Sequence, residues 1–122
     1  MSNKFKFRLA TVLRVRKHQE QLQKQQFAKS VQKKVALEDR KSEVQQELNT
    51  YVQSDSQTIG RNHFEYIQAR HLSLFNLKNR IKKVDSEVER ERKKLLEARQ
   101  KTMALENLES KQKIMFLRDL DR

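Results

Sequence analysis

From Phe64 onward the apolar residues return every seven positions. Setting Ile67, Leu74, Ile81, Val88, Leu95 and Thr102 at position a of a heptad puts Arg70, Leu77, Val84, Glu91, Ala98 and Leu105 at position d. Nine of these twelve are apolar. A strict seven-residue repeat held over this length predicts a helix wound left-handedly against another helix. Beyond Leu105 the apolar positions shift to Leu108, Met115, Leu117 and Leu120, which predicts that the helix continues with a stutter.

The first half of the chain is looser. Leu9, Leu13, Phe27, Val31, Leu37, Val44, Leu48, Tyr51 and Val52 are spaced by threes, fours and sevens without one unbroken register. Within residues 14–26 only Val15 and Leu22 offer an apolar stripe, so thin packing is expected there. Between the halves lies a cluster of turn formers, Ser54, Asp55, Ser56, Thr58, Gly60 and Asn62, with the chain's only glycine. Asn62 followed by Glu65 has the spacing of a capping box that opens a second helix.

These patterns predict a single all-α domain. Helix one covers about residues 8–53, the loop about 54–62 and helix two about 63–120, paired as an antiparallel left-handed coiled-coil hairpin. Such a hairpin brings the two chain termini together at the end opposite the loop. Dimerisation through the long second helix is the rival arrangement.

Composition agrees with this pattern. The chain has no proline and one glycine, 35% apolar and 36% charged residues, which suits long helices that each bury one narrow stripe. The absence of cysteine fits a reducing cytoplasm and leaves no thiolate chemistry. Cations at Arg8, Arg14 and Arg16 interrupt the N-terminal apolar residues, unlike a signal peptide, and no run approaches the ~20 apolar residues of a membrane span. Net charge is +12, concentrated in residues 1–34 (ten Lys/Arg against Glu20) and 61–83 (six against Glu65).

No catalytic constellation is present in the sequence, and an enzyme is not expected. His18, His63 and His71 lack the i, i+4 spacing of a helical metal pair and read as solvated surface residues. The carboxylates form along-helix ladders such as Glu89 with Lys93 and Glu97 with Lys101. No cofactor or metal is expected.

Two features exceed what a scaffold needs. Leu72 falls at position f and Phe75 at b, on the face turned away from the partner helix, amid Arg70, Lys78, Arg80, Lys82 and Lys83. Exposed apolar residues beside cations mark a contact for an acidic partner. A register shift near the loop, burying both, is the alternative. The other feature is the first seventeen residues, which combine Phe5 and Phe7, four branched aliphatics and six cations with no carboxylate. An acidic partner surface is the natural complement; alternatively Phe5 and Phe7 close the end of the seam. A basic helix also admits nucleic-acid binding, although no base-stacking platform accompanies it, and a membrane surface fits less well because cations surround the helix.

The stretch Phe5, Lys6, Phe7, Arg8, Leu9, Ala10, Thr11, Val12, Leu13, Arg14, Val15, Arg16, Lys17 resembles the opening of the FliJ family, small coiled-coil proteins of the bacterial flagellar type III export apparatus. The Gln/Glu/Lys-rich first helix, polar mid-chain turn and heptad second helix extend the resemblance over the whole chain. It implies an antiparallel two-helix coiled coil similar to the stalk subunit of rotary ATPases. It further implies a non-enzymatic coupling role in flagellum biogenesis, in the cytoplasm and peripheral to the inner membrane. By that likeness the paired ends enter the hexameric export ATPase, FliI, through Phe5, Phe7, Arg8, Leu9, Leu13 and Arg16. The export gate, FlhA, meets the region 70–81 through Arg70, Leu72 and Phe75, and export chaperones are implied as further partners. The equivalent stalk of a virulence-type secretion system and a basic coiled-coil nucleic-acid-binding protein are the alternatives.

Overall fold

The computed structural model describes residues 4–54 and 61–121. Two α-helices account for nearly all of them, α1 (Ala10–Ser54) and α2 (Arg61–Leu120), with no strand among the described residues. The fold is an all-α helical hairpin in which the helices pack against each other. The bounds agree with the expected ones to within two residues. α2 begins at Arg61, so Asn62 lies inside the helix instead of capping it. Most of the expected loop, residues 55–60, lies outside the described residues.

The chain forms two compact units. A middle unit holds Ala28–Glu89, and a terminal unit combines Met1–Phe27 with Arg90–Arg122. Each helix contributes to both.

Along α2 every one of the twelve heptad positions assigned from the sequence is buried or half-buried. Beyond Leu105 position a of the same register continues at Glu109 and Phe116, both half-buried, while its d positions, Gln112 and Asp119, are exposed. The expected stutter is therefore absent, and Leu108, Met115, Leu117 and Leu120 are exposed. Apolar residues here do not mark the seam, because the repeat, not local hydrophobicity, keeps a helix face turned inward.

α1 also differs from expectation. Its inward positions run in alternating steps of four and three through Leu9, Leu13, Arg16, Glu20, Gln23, Phe27, Ser30, Lys34, Leu37, Lys41, Val44, Leu48 and Tyr51. That register is unbroken. It was concealed because polar residues occupy six of its positions, while Val15 and Leu22, the expected stripe, sit outside it and are exposed.

The middle unit has the better core. Val44, Leu48, Leu74 and Leu77 form a buried apolar cluster, with Leu37 and Ile67 packed against it. Next to it Tyr51 packs on Tyr66 at 4.2 Å between ring centroids and on His63 at 5.1 Å. The Tyr51 hydroxyl lies 3.0 Å from His63 Nδ1, so His63 is a half-buried partner and not the solvated residue expected. His18 and His71 are exposed.

In the terminal unit, Phe7, Leu13, Leu95 and Thr102 are buried. Between Leu13 and Phe27 the α1 side of the seam is wholly polar. The Gln23 amide donates to both the carboxylate and the backbone carbonyl of Glu91, and Glu20 pairs with Arg99 at 3.5 Å. Buried Thr102 returns its hydroxyl to the Ala98 carbonyl at 3.1 Å, which satisfies it without a partner across the seam.

Five of the described ion pairs cross between the helices: Lys17–Glu106, Lys33–Glu87, Lys34–Asp85, Arg70–Glu47 and Arg99–Glu20. The along-helix ladders of the sequence reading did not foresee them. Lys34, Glu20 and Arg70 make theirs from seam positions, and the other pairs border the seam, where long side chains cover apolar surface with their stems.

Candidate functional site

The N-terminal segment approaches α1 as a coil. It is pinned where the Phe7 carbonyl accepts from the Ala10 amide at 3.1 Å, and the first helical bond follows from Leu13 to Leu9 at 2.9 Å. Phe5 meets Phe116 near the end of α2, ring centroids 5.7 Å apart and tilted by 50°, a geometry favourable for aromatic pairs. This contact joins the two ends of the chain within the terminal unit.

The six residues that the family likeness assigns to the ATPase ring divide by exposure. Phe7 and Leu13 are buried at 8% and 5%, while Phe5, Leu9 and Arg16 are half-buried. Of the six, Arg8 alone is exposed. The Arg16 guanidinium donates to Gln19 at 3.3 Å. The aromatics therefore close the end of the seam, and what the N-terminal side of this end presents to a partner is charge: Lys4, Lys6, Arg8 and Arg14, all exposed. The first turn of α1 contains no acid, so its own side chains do not offset the positive end of its dipole. The opposite holds at the end of α2, where Arg118 lies in the last turn.

Sequence reasoning missed the apolar side of this end. Ile114, Met115, Leu117 and Leu120 are each at least half exposed and lie all around α2, not on one face. Their signal was available, since each falls outside a and d once the register is extended unbroken.

The second candidate surface lies on α2 in the middle unit. Leu72 and Phe75 are each 60% exposed, which decides against their burial by a register shift. Phe64 is exposed further still. It escaped the sequence reading because it sits at the edge of the heptad frame. Lys78, Arg80, Lys82 and Lys83 are exposed beside them. Arg70, grouped with Leu72 and Phe75 from the sequence, is engaged differently. It occupies a half-buried seam position, pairs with Glu47 at 3.4 Å and holds its guanidinium 5.1 Å from the centre of the Tyr66 ring. Those contacts commit it to the hairpin.

Among the described residues no group of His, Cys, Asp or Glu is placed to hold a metal ion. No described helix is long and apolar enough to cross a membrane. The protonation equilibrium of Lys34 moves clearly. Its ammonium lies 2.8 Å from Asp85 and is held above its ordinary value, chiefly by that hydrogen bond and then by the carboxylate's charge. No family model, curated protein or solved structure matches this chain.

Proposed function

We propose that this chain is a non-enzymatic stalk and coupling factor of a flagellar-type export ATPase, engaging the ATPase ring by its joined ends and the export gate by α2. The contact of Phe5 with Phe116 carries the reading, because it gathers both ends of the chain into one unit beneath exposed cations. Lys4, Lys6, Arg8 and Arg14 supply positive charge, and the apolar residues around the end of α2 supply surface that gains from enclosure. An acidic, enclosing socket answers both. The resemblance of residues 5–17 to the FliJ opening names a ring of ATPase subunits as that socket.

Coupling then follows from differential contact. A charged end that favours one nucleotide state of the subunit it touches shifts that subunit's equilibrium, and the ring's turnover responds. The chain supplies contact energy only. On the gate side, Leu72 and Phe75 are the anchors, with Phe64 beside them and cations at the rim to steer an acidic partner.

The test is the ATPase rate of the purified export hexamer with and without the chain. Wild type should raise the rate, and Lys6→Glu with Arg8→Glu should remove most of the increase while leaving helicity intact, since both side chains are exposed. No stimulation by wild type sinks the ring reading. Leu72→Lys with Phe75→Lys should abolish gate binding, measured by calorimetry, without lowering the melting temperature. A large loss of stability would show that the two residues hold the fold together.

A further inference from the structure

A second seven-residue pattern runs along the outer face of α2 in the terminal unit. With the inner positions fixed by burial, positions b and f from 96 to 117 are Leu96, Gln100, Met103, Asn107, Ser110, Ile114 and Leu117. Their spacing alternates four and three without a break. All seven are exposed, and none carries a charge, in a chain of which 36% is charged. The four apolar members are 46–57% exposed. A stripe of two neutral positions per heptad is the pattern by which one helix receives another.

The rim is charged on both sides. Arg99, Glu106 and Lys113 border one edge, and Glu97, Lys111 and Arg118 the other, with Lys93 just ahead of the stripe. Arg99 and Glu106 are already paired with Glu20 and Lys17 of α1. Of the rest, Lys93, Lys111, Lys113 and Arg118 outnumber Glu97, and the described residues of the terminal unit hold sixteen Lys/Arg against seven acids.

We propose that this stripe docks an acidic amphipathic helix from another protein, which would pack on the side of α2 turned away from α1 in the terminal unit. Met103 and Ile114 would be its central anchors, Leu96 and Leu117 its ends, and Gln100, Asn107 and Ser110 would set register, as polar seam residues do in coiled coils. Charge decides the occupant. A second copy would bring another +12 to an already basic surface, whereas an acidic helix lowers that repulsion. The narrowness of the stripe, with two amides and a hydroxyl along it and glutamates on both edges, separates it from the broad apolar face by which a helix lies on a membrane. Ile114 and Leu117 also belong to the end proposed to enter the ring, whereas Leu96 and Met103 do not, and peptide binding is measured without the ATPase, so the two readings fail separately.

The probe is a fluorescent 21-residue peptide of three heptads with Ile and Leu at a and d and Glu at e and g, whose own repulsion prevents self-pairing. Binding is followed by anisotropy, and peptide helicity by circular dichroism. The full chain should bind it and induce helix. Met103→Lys with Ile114→Lys should weaken binding at least tenfold with unchanged melting, and Arg8→Glu should leave it within about twofold. Equal binding of a scrambled peptide of the same composition would overturn the proposal, as would full retention of binding by the double variant. A concentration-dependent dimer in sedimentation that the same double variant abolishes would assign the stripe to a second copy. Binding to vesicles of zwitterionic and anionic lipid that the variant loses, with no binding to the peptide, would assign it to membrane.

Discussion

The two units are built on the same two helices and the same heptad register, yet what fills the register differs. In the middle unit, Leu37, Val44 and Leu48 of α1 meet Leu74 and Leu77 of α2 in a continuous apolar cluster that includes Ile67. In the terminal unit, three consecutive α1 seam positions, Arg16, Glu20 and Gln23, are polar, and their contacts with α2 are an ion pair and amide hydrogen bonds. Apolar burial contributes free energy in proportion to area, while exposed or half-exposed ion pairs contribute little. The geometry of pairing is thus shared by the units, and its strength is not. Local opening should begin in the terminal unit, which is also where a partner is proposed to grip.

The largest effect should come from breaking the better-packed side. Leu48→Ala removes a side chain 4% exposed from the four-residue cluster and should cost ~2–5 kcal/mol. The matched change in the terminal unit, Glu20→Ala, removes a partly exposed ion pair and should cost no more than ~1 kcal/mol. Chemical denaturation of both variants measures the difference. Equal costs would mean that the polar seam is as strong as the apolar one, and the comparison would fail.

A smaller effect of opposite sign sharpens it. Arg16→Leu with Glu20→Leu places two apolar side chains at inward positions without leaving a buried charge unpaired. Gln19, the partner of Arg16, is exposed, and Arg99, the partner of Glu20, has half its side chain in water. Each should add roughly 1–2 kcal/mol. In hydrogen exchange, amides of residues 12–24 should then be protected at least tenfold more than in wild type. If Glu20→Leu alone, at a position not assigned to the ring, also reduces stimulation of the ATPase, opening of the terminal unit is part of its function. If exchange in wild type is already as slow there as in residues 37–51, the polar seam is no weak point.

How much of this was legible beforehand follows the same division. The register of α2 could be read because Ile67, Leu74, Leu77, Ile81, Val84, Val88 and Leu95 occupy it. That of α1 could not, because Lys34 and Lys41 hold inward positions with their long stems, and Ser30 fits by being small. Apolar residues off the register, Val15, Leu22 and Leu108, then suggested false stripes and a stutter. The exposed pair Leu72 and Phe75 was legible for the reverse reason, that a firm register makes an outward apolar residue conspicuous. Phe7 and Leu13 were ambiguous in principle: the same aromatic and aliphatic residues can close a seam or enter a socket, and only burial distinguishes the two. Arg70 illustrates the converse: the heptad put it at position d, yet its basic neighbourhood also grouped it with the outward pair, and only its contacts with Glu47 and Tyr66 decide between the two.

The smallest effect concerns the ionic part of the middle unit's seam. Lys34 sits at an inward position of α1, and its ammonium lies 2.8 Å from Asp85 and 3.9 Å from Glu38. The hydrogen bond to Asp85, then that carboxylate's charge and, more weakly, Glu38 hold Lys34 above its ordinary value of 10.5, against a lesser opposing effect of desolvation. Because the shift is upward on folding, the stabilisation is fully present below that ordinary value and disappears as pH rises through the higher folded-state value. In Lys34→Gln this contribution is absent, so its denaturation midpoint should fall less than that of wild type between about pH 9 and about pH 12. Parallel curves for wild type and Lys34→Gln would show that the middle unit owes its strength to the apolar cluster alone, with Lys34 held in the seam by its neighbours and contributing nothing of its own.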